Sequence, residues 1–414
     1  MLVEGLSSDG GGKARERMNI LQVGTIDCAG GAARVSWDLK RGFEARGHHV
    51  SMFVAHKYSD DENVYIIPRH RYQERISRIL GTDLDFYKTD YILETDAFKN
   101  ADVIQCHNLH GYYFNIGTLQ KMTTQKPVVW TLHDMWAMTP HCAYSFEEKS
   151  NNGFYDCPNL HSYPQIEWHN ESYLMKRKRK VYTTSQFQLV VPSQWLQEKV
   201  EVSVLKEKQV TLIYNGIDVA LYVRQNKNNV RNKLHLDPDK KIILFLAADG
   251  KYDKRKGWTY THAVMKYFRY DLNIVFVCVG GAASEGEERS NQIIYVDYVK
   301  EKDVLVQYFS AADVLLFPSL ADNFPLTVLE AMSSGLPVVA FDVGGVKEAV
   351  IHMECGYIAP YKSTEGLIEG IQYIVNLSES EREKMAQRSR ARVLGHFTID
   401  RMADAYLNVY SSLA

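Results

Sequence analysis

Nowhere in the 414 residues is there an apolar stretch long enough to cross a bilayer. The longest runs, Ile242-Ile-Leu-Phe-Leu-Ala-Ala248 and Ile274-Val-Phe-Val-Cys-Val279, have the length of strands, so no transmembrane helix is expected. A dominant charge is also missing. The 48 Lys and Arg are matched by 50 Asp and Glu, which leaves no global field to gather nucleic acid. No Gly-x-Gly-x-x-Gly fingerprint follows the first strand, which counts against a dinucleotide-dependent dehydrogenase. Only six cysteines occur, and they are scattered. Cys28, Cys106 and Cys278 fall in or beside predicted strands, as reduced core thiols do, and a cytosolic protein is expected. Residues 1–17 hold Ser-Ser-Asp-Gly-Gly-Gly and Lys-Ala-Arg-Glu-Arg with no apolar stretch of a secretory signal, and they read as a flexible lead-in.

What is present is material for a large core. Hydrophobic residues make up 45% and charged residues 24%, and the length exceeds what one core usually serves, so two domains are expected. Asn19-Ile-Leu-Gln-Val23, Gly24, Gly30 and Gly31, a helix over Ala32–Ala45 and a strand at His49–Val54 form a β–glycine loop–α–β unit. Strands at 102–106, 127–132 and 189–191 follow with helices between them. A second series occupies 241–246, 273–279, 293–298, 313–317 and 337–341. This alternation implies two doubly wound parallel-sheet domains, joined near Val210–Asp218, where Asn215-Gly216 signals a turn.

The densest signal runs from Phe317 to Gly345: strand, acidic loop, helix, Gly turn, strand and Gly-Gly turn, with carboxylates at Asp322 and Glu330. Pro325 suits a helix start, where its missing N–H costs nothing. The helix then begins at a strand's carboxyl end, and free N–H groups of Leu326, Thr327 and Val328 would meet a diphosphate there. Glu330 shares a face with Thr327 and Leu326 and can accept from ribose hydroxyls.

This segment resembles the signature of family 4 retaining glycosyltransferases: an acidic residue, seven others and a Glu, then Ala-Met and Gly-x-Pro-Val-Val. Here Asp322 stands where the family usually has Glu, keeping the charge but shortening its reach toward the donor sugar. The resemblance covers Met18–Ala414. It implies the GT-B fold, two Rossmann-like α/β domains facing across a cleft, with the helix over Thr398–Leu413 crossing back onto the first. The expected division is 18–208 plus 398–414 on the acceptor side and 209–397 for the nucleotide sugar.

Glycosyl transfer needs cations for the departing diphosphate and oxygen ligands for an oxocarbenium-like sugar. Gly250-Lys-Tyr-Asp-Lys-Arg-Lys-Gly257 follows a buried strand. The resemblance matches Lys251 and Lys256 to the family's two cations, with Arg255 able to supply a guanidinium. In the first half, Gly30 and Gly31 can bring backbone close to a phosphate or an acceptor. Thr131-Leu-His-Asp134 ends a strand at the cleft. The resemblance places His133 against the donor sugar with Asp134 in support, and His107 and Asn108 end another strand as acceptor-side candidates. The loop around Tyr298 is the candidate reader of uracil against guanine in a UDP- or GDP-linked donor. No metal and no further cofactor are expected.

Three features lie outside that core. The segment from His141 to His161 resembles a cysteine-bearing loop of a polysaccharide-assembly branch; Cys142 and Cys157 alone are too few for structural zinc, which His141 and His161 would have to complete, and an acceptor lid is the expectation. Asp83-Leu-Asp85 matches a short metal motif of another glycosyltransferase fold and is expected at the surface. Lys176-Arg-Lys-Arg-Lys180 reads as either a solvated helix surface or a dock for anionic membrane or lipid pyrophosphate. The function that follows is a hexosyltransferase-like enzyme of the cytoplasm or the membrane's inner face, moving a sugar onto a glycan or lipid-linked acceptor in cell-surface polysaccharide assembly. A nucleotide-sugar 2-epimerase and a non-catalytic nucleotide-sugar-binding protein are the alternatives.

Overall fold

Strands buried on both faces need mostly apolar residues, and these short runs provide them, with a few buried polar exceptions such as Gln22 and Gln105. In the computed structural model, which describes residues 17–145, 154–157, 159–246, 254–280 and 292–413, they assemble into two all-parallel sheets. The first contains β1 (Asn19–Ile26), β2 (His49–His56), β3 (Val64–Ile66), β4 (Val103–Cys106), β5 (Val128–Thr131), β6 (Gln188–Val191) and β7 (Val210–Leu212), in the order β3-β2-β1-β4-β5-β6-β7. The second contains β8 (Lys241–Leu246), β9 (Ile274–Val279), β10 (Ile293–Val296), β11 (Val314–Phe317), β12 (Val338–Phe341) and β13 (Gly356–Ala359), in the order β10-β9-β8-β11-β12-β13.

Each order reverses once, between β1 and β4 and between β8 and β11. Doubly wound sheets bind ligands at the carboxyl ends of the strands flanking such a switch. The segments leaving those four strands include Gly30 and Gly31, His107, Arg255 and Lys256, and Asp322. The lead-in up to residue 16 and Lys251 lie outside the described residues.

The helices that matter below are α1 (Gly31–Glu44), α2 (Gln73–Ile79), α3 (Glu171–Thr184), α4 (Gln194–Glu201), α5 (Leu326–Ser333), α6 (Val346–Ala349) and α7 (Ile399–Ser411). The last of these returns to the first lobe and packs on α1. A Cβ on Gly42 would stand 3.2 Å from that of Ala403, tighter than an ordinary contact, so glycine here eases the close approach of the two helices. Phe43 and Tyr410 meet at 5.6 Å between ring centroids. Met402, Tyr406, Leu407 and Tyr410 are buried, each worth about 1.5–3 kcal/mol. Arg46 pairs with Asp400 and Asp404 at the rim.

The boundary expected at 208/209 needs moving. β7 pairs in parallel with β6, so the first sheet continues to Leu212. The chain crosses between lobes just beyond it, where Ile217 pairs with Thr398 on the returning segment. Ile217 N–H donates to Phe397 at 3.0 Å and its carbonyl accepts from Ile399 at 3.2 Å.

Candidate active site in the interdomain cleft

In the second lobe, α5 starts directly after the loop leaving β11, and Pro325 caps it from outside rather than occupying its first turn. Val328 N–H donates to Pro325 at 3.2 Å, so of the three N–H groups expected to be free, this one is turned into the helix. Those of Leu326 and Thr327 remain at the helix start, where no intrahelical acceptor exists. The loop carrying Asp322 is fixed from below by Gly344, whose positive φ and lack of a Cβ allow the Asp322 carbonyl to rest on it. Gly257, also at positive φ, lies in the same way against the Pro318 carbonyl. These two contacts bring Lys256 Nζ within 3.2 Å of Asp322 Oδ2. Arg255 stacks 5.6 Å from the Tyr144 ring centroid, reaching the loop of the opposite lobe.

Glu330 is buried, and its partner comes from the other lobe. Arg34 on α1, one turn beyond Gly30, places Nη2 2.5 Å from Glu330 Oε1 and 3.1 Å from the Tyr222 hydroxyl. Burial works against the guanidinium charge, but Glu330 outweighs it and holds the Arg34 pKa above its usual value. Gly30 itself has φ +91° and open space where a side chain would stand, so a ligand can approach the backbone there. Arg34 was missed by reasoning from the sequence; its only trace was a cation on the first turns of the helix opened by Gly30-Gly31.

In the first lobe, His133 follows β5 and His107 follows β4. Their rings stack, with His107 Nδ1 2.9 Å from His133 Nε2, so one ring donates a single proton to the other. Burial, with His133 beside it, keeps His107 well below the usual imidazole range, and burial brings His133 down to about 4 against the pull of Asp134. Both are therefore neutral at pH 7. Burial pushes the Asp134 carboxyl up, but His110 Nε2 at 2.8 Å and Trp136 N–H at 2.9 Å outweigh it and hold the pKa below normal. His110, three residues beyond His107, was not singled out from the sequence. Asn108 contributes its backbone carbonyl, which accepts from Thr25 and Tyr113.

The cleft is bridged by more than Arg34. Asn323, beside Asp322, donates to the His133 carbonyl at 3.2 Å and accepts from Ser193 at 2.5 Å. Glu348 on α6 caps α4 of the first lobe, accepting from Gln194 and Trp195 N–H at 2.8 and 3.0 Å. Tyr144 lies among Asp322, Asp134 and Arg255, and burial together with the two carboxylates pushes its hydroxyl pKa far up. The structure thus gathers Gly30, His107, His133, Asp134, Arg255, Lys256, Asp322 and Glu330 along one cleft. Tyr298 is exposed beyond the edge strand β10 and takes no part in the described cross-cleft contacts.

Three expectations about the first lobe are corrected. Asp83 is fully buried rather than superficial, accepting from Trp136 Nε1 at 3.0 Å, while Asp85 pairs with Arg177. Lys178 is not part of a solvated run. It is buried, donates to the Trp136 and Thr139 carbonyls at 2.5 and 2.9 Å, and burial brings its pKa down to about 7. Cys142 and Cys157 form a disulfide, which removes them as zinc ligands, while Cys28, Cys106 and Cys278 are free thiols. His141 is turned to the Pro164 carbonyl. Parts of that loop, 146–153 and 158, lie outside the described residues. Among the described residues, no helix is long and apolar enough to cross a membrane.

Residues 29–221 match the profile described as Glycosyltransferase Family 4, and residues 226–392 match Glycosyl transferases group 1. An Escherichia coli K12 protein assigned to colanic acid biosynthesis as a glycosyl transferase is 27% identical, over 96% of this chain and all of its own length. Among solved structures, sucrose-phosphate synthase from Thermosynechococcus elongatus superposes with a TM-score of 0.68 at 20% identity, covering 96% of this chain and 99% of its own. An Anabaena protein in complex with UDP-glucose gives 0.65 at 16% identity, covering 96% and 100%. The fold they share with this chain is the two-lobed GT-B architecture.

Proposed function

The chain belongs to glycosyltransferase family 4, and from that premise we propose that it moves a sugar from a UDP- or GDP-linked donor onto a glycan or lipid-linked acceptor with retention of configuration. The observation that carries this reading is the meeting of opposite lobes at Arg34–Glu330 and at Asn323–His133, with Lys256 and Asp322 between them. A carboxylate has about four lone-pair sites, so Glu330 can hold Arg34 and Tyr222 and still accept from two ribose hydroxyls.

The donor diphosphate would lie over the start of α5. As the bond from the anomeric carbon to the phosphate oxygen breaks, the electron pair stays with the diphosphate, where Lys256 and Arg255 offset the charge. The acceptor hydroxyl forms the new bond on the same face, and its proton passes to the departing phosphate oxygen. His133, neutral and backed by His107, suits hydrogen bonding to sugar hydroxyls rather than charge stabilisation. With two cations and a helix start at the phosphates, side chains and backbone meet the charge demand of this reaction. Cell-surface polysaccharide assembly is the proposed setting, supported by the colanic acid assignment of the Escherichia coli relative, and the cytoplasmic side is the proposed location. Nothing in the geometry favours an epimerase or a silent binding protein.

The test is a thermal-shift panel of nucleoside diphosphates and their sugars, followed by NMR of the product. A ligand at a hundred times its dissociation constant stabilises the fold by about 2.7 kcal/mol. Failure of every UDP and GDP compound to shift the melt would overturn the donor assignment, and an inverted anomeric proton would overturn retention.

A further inference from the structure

An amphipathic helix normally turns its apolar stripe inward. On α2 the arrangement is reversed. Tyr72, Ile76, Ile79 and Leu80 fall at the four- and three-residue spacings of one face, and all are exposed, while the helix's buried residue is Ser77, bonded to the Tyr87 hydroxyl at 2.7 Å. Phe86 and Trp168 extend the patch, and all six side chains are between 42% and 54% exposed. They are contiguous: Trp168 Nε1 donates to the Ile79 carbonyl at 2.9 Å, and Gln73 donates to that of Phe86 at 2.9 Å.

A second stripe runs beside the first, one residue earlier at each turn: Arg71, Arg75 and Arg78. Arg78 is held by Glu167 at 2.8 Å and Arg71 stacks on the Tyr72 ring, whereas Arg75 and Lys88 are exposed and form no ion pair with a described residue. The acids on the neighbouring segments are Glu74, exposed on α2, Glu167, which holds Arg78, Glu171, which pairs with His169, and Asp85, which is taken by Arg177. The Lys176–Lys180 run is not one continuous patch: Lys178 is internal and Arg177 is paired, which leaves Lys176, Arg179 and Lys180 exposed.

We propose that the α2 face docks the protein on an anionic phospholipid bilayer. Aromatic and branched side chains enter the boundary between headgroups and acyl chains, and the adjacent cations meet lipid phosphates. Cations interleaved with apolar groups specify an anionic interface rather than a neutral one. The surface also has a place in the reaction. Directly beneath it, Gly81–Leu84 carries Asp83, which holds the Trp136 indole, and Asp134 holds the Trp136 backbone. The patch is therefore the outer side of the wall that bears His133 and Asp134, so an acceptor still anchored in the bilayer would enter the cleft from this side. The docking inference does not rest on the transfer reaction.

The test is co-sedimentation of the full chain with phosphatidylcholine vesicles, with and without phosphatidylglycerol. Wild type is expected to sediment with the anionic vesicles at low salt and to be released at high salt. Ile76→Asp with Ile79→Asp should stay in the supernatant. Arg71→Gln with Arg75→Gln should bind about 25-fold more weakly, at roughly fivefold per cation. The melting temperature of each variant without ligand, compared with wild type, reports an intact fold and keeps this test separate from the donor assignment. Equal sedimentation of wild type and the aspartate variant would overturn the proposal. So would failure of wild type to bind vesicles while light scattering shows a dimer that the aspartate variant loses, because the face would then join two copies of the chain.

Discussion

The two walls of the cleft are built on different electrostatic plans. The second lobe presents fixed charges in a line, Lys256 against Asp322 and then Glu330 reaching Arg34. The first lobe presents His107 and His133, neutral and bonded to each other, with Asp134 sequestered behind them by His110 and Trp136. A nucleoside diphosphate carries its charge in the same place whatever sugar it bears, so one wall can be built around fixed ionic partners. Sugars and acceptors differ in their hydroxyls, and a neutral hydrogen-bonding wall can accommodate those differences without repelling an anion. The contrast predicts that changes on the charged wall affect bond breaking and nucleotide affinity, while changes on the neutral wall affect transfer but leave the nucleotide bound.

The largest effect is expected from Lys256→Ala, which removes a cation from the departing diphosphate. Turnover at saturating donor should fall by about 10²–10³, and an unchanged turnover number would remove Lys256 from that role. On the opposite wall, His133→Ala should slow transfer by about 10² or more by misplacing the reacting groups, with nucleotide affinity in calorimetry left at the wild-type value. If both quantities fell together, the division between the walls would fail. Glu330→Ala should weaken nucleotide binding by roughly 1.5–3 kcal/mol, the worth of hydrogen bonds to a charged acceptor. Wild-type affinity in that variant would show that the carboxylate serves only Arg34.

A smaller effect separates the walls by pH. His133 has its folded pKa depressed to about 4 from 6.5, so the unfolded chain binds the extra proton first as the solution is acidified. Its contribution is complete above about pH 6.5 and is lost between there and pH 4, at up to roughly 1.4 kcal/mol per pH unit. Melting of His133→Asn over this range should slope less than wild type, and parallel curves would contradict a buried neutral ring. The smallest change is expected for Asp322→Glu, which keeps the charge and lengthens the arm by one methylene. Turnover should move by less than about tenfold, or 1.4 kcal/mol; a larger loss would mean that the Lys256 contact at 3.2 Å sets the geometry.

The difference between the walls also explains what could be read in advance. Strands β8, β9, β11 and β12 announce themselves as unbroken apolar runs, and the second-lobe carboxylates lie eight residues apart in one segment, so local pattern was enough. β3, of three residues, carried no comparable signal, and β7 looked like part of the crossing because its strand character comes from pairing with β6. Arg34 and Glu330 are far apart in sequence and meet only through the arrangement of the lobes. Asp83 and Lys178 read as surface groups because charge predicts exposure. Only the folded chain shows that Trp136, whose indole takes one and whose carbonyl takes the other, draws both inside.

The pairing of Ile217 with Thr398 means that the lobes are joined by two passes of chain lying side by side. The lobes are consequently unequal as pieces. The second is one continuous length and can be excised with two neighbouring cuts, whereas the first is a composite whose closing helix is synthesised only after the whole second lobe. A ribosome-bound chain that has emitted its first sheet still lacks the cover for Phe43, so the amino-terminal lobe, although made first, is the last to be completed.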